Sequence, residues 1–189
     1  MYTSRKLISA LALAGFYSAV FVSSAQESVR LGTSVSEADL AGFDLIAEPS
    51  GAGFPSGSGT AAQGKAIFES RCAACHGLNG EGNSAATIIV GGDMQSEESP
   101  LRTVGSYWPY ASTVFDFIRR AMPADAPKSL NDEEAYQVAA YVLYLNGLVG
   151  ENEVLNAETL PQVRMPNADG FIDQSDIQKQ LMRQPTGLP

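Results

Sequence analysis

Two thiols three positions apart are followed directly by an imidazole in the run Cys72-Ala73-Ala74-Cys75-His76. Thiols at that spacing reach two vinyl groups on one edge of a porphyrin. The ring of the next residue then lies under the iron. The chemistry this predicts is covalent attachment of one haem c through Cys72 and Cys75, with His76 as the proximal iron ligand. A zinc centre would need further thiols or imidazoles, and the sequence holds 2 Cys and 1 His, all inside this run. A dithiol redox site would want a βαβ setting, which the flanking residues lack.

The other side of the iron decides between an electron carrier and a site open to gases or oxygen chemistry. A second histidine is absent from the sequence, so the candidates are Met94, Met122, Met165 and Met182. Met122 is favoured because it closes an amphipathic stretch and precedes Pro123, which biases it into an extended conformation. Met94, in an acidic loop with glycines before it, is the reserve; Met165 and Met182 belong to the tail. A thioether ligand favours ferrous iron and raises the reduction potential. Haem propionates need donors, and Arg102, Tyr107, Trp108, Arg119 and Arg120 fall in the segment expected to wrap the haem edge.

Three helices must position these groups. Thr60 and Gln63 form a capping-box pair, and Gly64, Ile67, Phe68 and Cys72 then fall on one face, so a first helix delivers the cysteines. Gly64 is small enough to let another helix cross closely. A second helix is expected to start at Trp108-Pro109, with Val114, Phe117, Ile118 and Ala121 as its apolar stripe, and to end at Met122. A third runs from Asn131 to about Asn146. Its acidic first turn suits the helix dipole, Ala135, Val138, Ala139, Val142 and Leu143 form the buried stripe, and Gly147 ends it. Tyr136, Tyr141 and Tyr144 are placed on its flanks, one of the latter two near Gly64. Between the first two helices lies a glycine-punctuated loop with a short apolar run at 87–90 and a solvated acidic stretch at 93–100.

The ends of the chain read differently. Arg5 and Lys6 precede an apolar run at 7–22 and the small residues Ser23, Ser24 and Ala25, the pattern of an export signal cleaved after Ala25. The apolar run falls short of the about 20 residues of a comfortable membrane span, so a periplasmic protein without stable membrane insertion is expected. Residues 26–59 form an N-terminal arm in which Ser36 to Leu40 could begin a short helix. The Gly/Ser/Pro-rich stretch 51–59 reads as extended rather than regular structure. Prolines 161, 166, 185 and 189 make 150–189 an extended tail with one short turn near 176–182. The haem domain is therefore 60–149, the fold class is all-α, and the bundle wraps one covalent haem. With 12 Lys+Arg against 21 Asp+Glu the chain carries a net charge of −9, and removal of Arg5 and Lys6 makes it two units more negative. Such acidity disfavours nucleic acid and anionic lipid and suits docking on a basic patch of a redox protein.

With Cys72-Ala-Ala-Cys-His76 and Arg120-Ala-Met122-Pro123 in place, the chain resembles a class I cytochrome c. The stretch TVGSYWPYASTVFDFIRRAMP at 103–123, AYVLYLN at 140–146, LPQVRMPNADGF at 160–171 and GSGTAAQG at 57–64 resemble the cytochrome subunits of bacterial sulfite and sulfane dehydrogenases. That resemblance implies haem on Cys72 and Cys75 and iron held by His76 and Met122. It also implies electrons taken from a molybdenum-cofactor subunit that oxidises a sulfur oxyanion, then passed to another cytochrome or an oxidase. One haem motif, where the sulfane dehydrogenase pattern has two, favours a single-haem sulfite dehydrogenase-type subunit or a free-standing relative. The alternative is a general soluble shuttle between a quinol-oxidising complex and a terminal oxidase or reductase. Either way the expected role is electron transfer and not catalysis. Peroxidase chemistry would want a second haem or an open iron, and thiosulfate chemistry a further cysteine ligand.

Overall fold

The computed structural model describes residues 32–40, 43, 46–98 and 100–171; the expected signal peptide, Met182 and the turn near 176–182 lie outside them. The described residues from Glu37 onward belong to a single unit. Among them are five α-helices and little strand. These are α1 (Glu37–Leu40), α2 (Ala61–Arg71), α3 (Ala73–His76), α4 (Ala111–Ala121) and α5 (Asp132–Leu145), with a short 3-10 turn at Leu160–Gln162.

Local chemistry sets the two best-defined helix starts. The Thr60 hydroxyl accepts from the Gln63 N–H at 3.3 Å, and the Gln63 amide oxygen accepts from the Thr60 N–H at 2.9 Å. Asn131 and Glu134 repeat the arrangement at the start of α5, at 2.9 and 2.8 Å. Each pair satisfies two backbone donors that would otherwise lack partners. α5 ends as its sequence predicts. Gly147 takes φ 69°, its N–H bonds the Tyr144 carbonyl, and the Leu148 N–H bonds the Leu143 carbonyl, which is a Schellman closure.

α2 crosses α5 at Gly64. A β-carbon there would overlap the Gln137 carbonyl and lie 3.1 Å from the Tyr141 β-carbon. Tyr141 also packs its ring on Phe68, centroids 5.2 Å apart. The core behind this crossing is formed by residues with no exposed surface, among them Phe115, Tyr136, Leu143, Leu155 and Leu160.

Four expectations need correction. α4 begins at Ala111, not at Pro109, because Tyr110 stays extended (φ −135°, ψ 135°) and bridges backbone to backbone with Arg164 of the tail. Its stripe is also wider than expected, since Phe115, outside it, is fully buried. Tyr136 is not a flank residue but a core one, its hydroxyl donating to the Pro55 carbonyl at 2.9 Å. The stretch 51–59 is not wholly irregular. Ser58–Gly59 forms strand β1, antiparallel to β2 (Leu155–Asn156) with Gly59 opposite Leu155.

The common reason is that segments on both sides of 60–149 pack on it. Phe54 stacks on Phe115 and Tyr136, with centroids 5.2 and 6.3 Å apart. Buried Ala47 donates its N–H to the Asp116 carboxylate at 3.1 Å. Leu160 and Met165 are buried from the other side of the sequence.

Candidate haem-binding site

The Cys72–His76 run sits at a break between two helices. Cys72 (φ −120°, ψ −37°) caps α2 through its N–H to the Phe68 carbonyl and at once opens α3. The His76 N–H returns to the Cys72 carbonyl at 3.0 Å, so the one-turn helix α3 keeps the three chemical side chains on a tight local frame. Two further bonds hold that frame from the following loop. The Gly82 N–H donates to the His76 carbonyl at 2.7 Å, and the Asn83 amide donates to the Ala74 carbonyl at 2.9 Å.

Cys72, Cys75 and His76 line a cavity of about 660 Å³ whose wall also includes Met122. Met122 reaches it because α4 stops at Ala121. Met122 itself is extended (φ −113°, ψ 151°), as the following proline favours. Most of the remaining wall is apolar: Phe68, Ile88, Ile89, Val104, Trp108, Val114, Phe117, Ile118, Leu130, Val138 and Val142. Trp108 and Phe117 meet edge to face at 5.7 Å within it. The volume lies in the range of about 300–1,000 Å³ typical of ligand and cofactor sites.

The polar groups are few and specific. Burial pushes the Cys72 thiol up to about 11, against a smaller opposing pull from Arg71. The His76 Nδ1 is buried and finds no partner among the described residues. Two guanidinium groups reach the wall. Arg71 is tied to the Ser129 carbonyl and hydroxyl, and Arg102 sits over the Tyr107 ring with its guanidinium carbon 5.1 Å from the centroid.

The expected haem-edge residues therefore divide. Arg102 and Trp108 line the cavity. Tyr107 stands behind Arg102 without entering the wall. Arg119 donates its Nε to Asp132 at 2.7 Å, and Arg120 pairs with Asp116, so neither lines the cavity. Among the methionines, Met94 lies in the loop outside the wall, and Met165 belongs to the tail and is buried in the core, 1% exposed, also outside the wall.

A polar hub that the sequence reading passed over closes the site from the loop side. Asn146, the C-cap of α5, accepts from the Gly91 N–H at 2.9 Å and donates to the Val142 and Ile89 carbonyls at 2.9 and 3.3 Å. Thr103 donates its hydroxyl to the Gly91 carbonyl, and the Ser106 hydroxyl accepts from the Thr103 N–H at 2.9 Å. Together they hold the loop segments bearing Ile89, Thr103 and Val104 against the end of α5. The signal for Asn146 was available, since a side-chain amide just before a helix-closing glycine is suited to binding loop backbone.

Residues 59–142 match the family described as cytochrome C oxidase, cbb3-type, subunit III. A thiosulfate dehydrogenase of Allochromatium vinosum is 30% identical over 128 residues, covering 65% of this chain and 42% of that protein. A second, from Stutzerimonas stutzeri, is 34% identical over 88 residues, 47% of this chain and 28% of that one. The chain thus spans less than half the length of the curated relatives it matches. A chain in the crystal structure of the sulfane dehydrogenase SoxCD from Paracoccus pantotrophus superposes with a TM-score of 0.71 at 36% identity. That match covers 85% of this chain and 81% of that one.

Proposed function

The chain belongs to the class I cytochromes c that resemble sulfur-compound dehydrogenase cytochromes, and from that premise we propose a periplasmic, single-haem electron carrier that accepts electrons from a molybdenum-cofactor sulfite or related sulfur-compound dehydrogenase. The observation that carries it is the joint presence of Cys72, Cys75, His76 and Met122 on the wall of one largely apolar cavity. In this reading Cys72 and Cys75 would hold the haem covalently, and His76 and Met122 would hold its iron. The haem supplies a one-electron ferric/ferrous couple. The chain's own residues exclude water with Phe68, Trp108, Val114 and Ile118, and an apolar shell disfavours the added positive charge of ferric iron. With both cysteines engaged in attachment, this sequence offers no thiolate as a distal ligand, which favours electron transfer over thiosulfate chemistry.

The donor is the finer part of the proposal. The resemblance to sulfite and sulfane dehydrogenase cytochromes, the match to SoxCD and the acidic surface all support a sulfur-oxidising partner with a basic docking patch. The test uses the exported, haem-matured chain. Its ferric spectrum should carry the weak far-red band of methionine ligation, and Met122→Ala should abolish that band while keeping the haem attached. A five-coordinate wild-type spectrum that takes up carbon monoxide overturns the carrier role. Stopped-flow reduction by a molybdenum sulfite dehydrogenase plus sulfite should outpace reduction by a quinol-oxidising complex. The reverse order would assign the chain to the general shuttle.

A further inference from the structure

The C-terminal segment 160–171 packs back on the residues that lead into α4. Leu160 and Met165 anchor it in the core, and Arg164 bridges backbone to backbone with Tyr110. Beyond that bridge, the Asn167 amide donates to the Tyr107 carbonyl at 2.7 Å. The Phe171 ring then meets the Tyr107 ring edge-on, centroids 5.3 Å apart. Tyr107 is thus held twice by the tail, once through its backbone and once through its ring.

What Tyr107 carries is Arg102. The guanidinium carbon lies 5.1 Å from the centroid of the Tyr107 ring, and the residue lines the cavity while staying exposed at its rim. Arg102 has no carboxylate partner among the described residues. Arg71, the other guanidinium on the wall, is already bound to Ser129. A long side chain gives up rotamer freedom when it is fixed in one direction, and an aromatic face is one of the few surfaces that hold a guanidinium without neutralising it. The result is a cation at the mouth of a largely apolar cavity, without an ion-pair partner among the described residues.

We propose that residues 160–171 act as a strap that positions Arg102, through Tyr107, as the counter-ion of a carboxylate on the ring edge of the bound haem. The proposal rests on the haem reading above. Tyr107, Asn167 and Phe171 are positioning residues, and Arg102 is the group that meets the cofactor. A fixed positive charge beside the haem disfavours ferric iron, so the strap holds the reduction potential up.

The test is spectroelectrochemical titration of the haem-loaded full chain at one pH and ionic strength, with melting temperature measured alongside. Arg102→Gln should lower the midpoint potential, and Arg102→Lys should recover part of the drop. Phe171→Ala and Asn167→Ala, both well outside the cavity, should lower it by a smaller step. In the Arg102→Gln background Phe171→Ala should produce no further drop, because the strap then has nothing to position. If Phe171→Ala lowers the melting temperature but leaves the potential where it was, the strap is packing alone and the proposal fails. It fails equally if the drop is the same in both backgrounds. A colourless wild-type chain sinks the haem reading itself, whereas a coloured one with unmoved potentials sinks the strap alone.

Discussion

The two faces of α4 make opposite use of the same helix. On one, Phe115 and Asp116 turn into a region completed by protein: Phe54 stacks on Phe115, Tyr136 packs on it at a tilt, and Asp116 accepts from Ala47 and Arg120. On the other, Val114, Phe117, Ile118 and the terminal Met122 border a cavity of about 660 Å³. The filled face is closed by a segment distant in sequence, the hollow one by loops hung from Asn146 and Thr103. Rigidity on the first face fixes where the second one lies, because close-packed interiors transmit displacement with little give.

Emptying the hollow face should have the largest effect. Cys72→Ala with Cys75→Ala removes the proposed covalent links, and the chain should lose cooperative thermal unfolding along with its haem absorbance; calorimetry beside a haem stain reads both. A cooperative transition at the wild-type temperature would mean that the filled face stabilises the domain unaided. Next comes Phe115→Ala, which deletes a fully buried ring and should cost about 3–5 kcal/mol in denaturant titration. The haem spectrum should stay unchanged, and a shifted Met–Fe band would show that the two faces are not mechanically separate.

Asp116→Ala sharpens the contrast at a smaller scale. It leaves the buried Ala47 N–H and the Arg120 guanidinium without their acceptor, and a loss of about 1–3 kcal/mol is expected. Arg120 should also titrate lower, since the hydrogen bond it donates to Asp116 is what holds it above its ordinary value. The smallest change is Tyr136→Phe, at about 1 kcal/mol for the bond to Pro55. Burial raises the Tyr136 hydroxyl from 10.0 to about 12. Its folded value lies above its unfolded one, so the stability tied to the protonated form is complete below pH 10 and declines as pH climbs to about 12. Stability measured across that window should fall more steeply in the wild type than in Tyr136→Phe.

The same contrast explains what could be read from residues alone. The hollow face was legible because its chemistry is local. Cys72, Cys75 and His76 are neighbours, Pro123 acts on the residue before it, and the capping boxes at Thr60 and Asn131 span one turn each. The filled face was not, because its partners are far apart in the chain. Nothing periodic links Ala47 to Asp116, or Pro55 to Tyr136. Stripe counting assumed one buried side per helix, so it chose Phe117 and left Phe115 and Tyr136 outside the core. Both are buried because residues 46–59 supply a second wall. Tyr110 was misjudged for a like reason, its conformation being set by Arg164.

The crossing at Gly64 reaches further than the two helices that meet there. With bare backbone of α2 seated against the Gln137 carbonyl, the gap between the rods is already at its minimum. Any methyl group inserted there must lever α2 outward, and Cys72 rides on its far end. One missing β-carbon thus sets how deep Cys72 sits, and a change at that point should be felt first in the proposed haem site and only afterwards as a weakened fold.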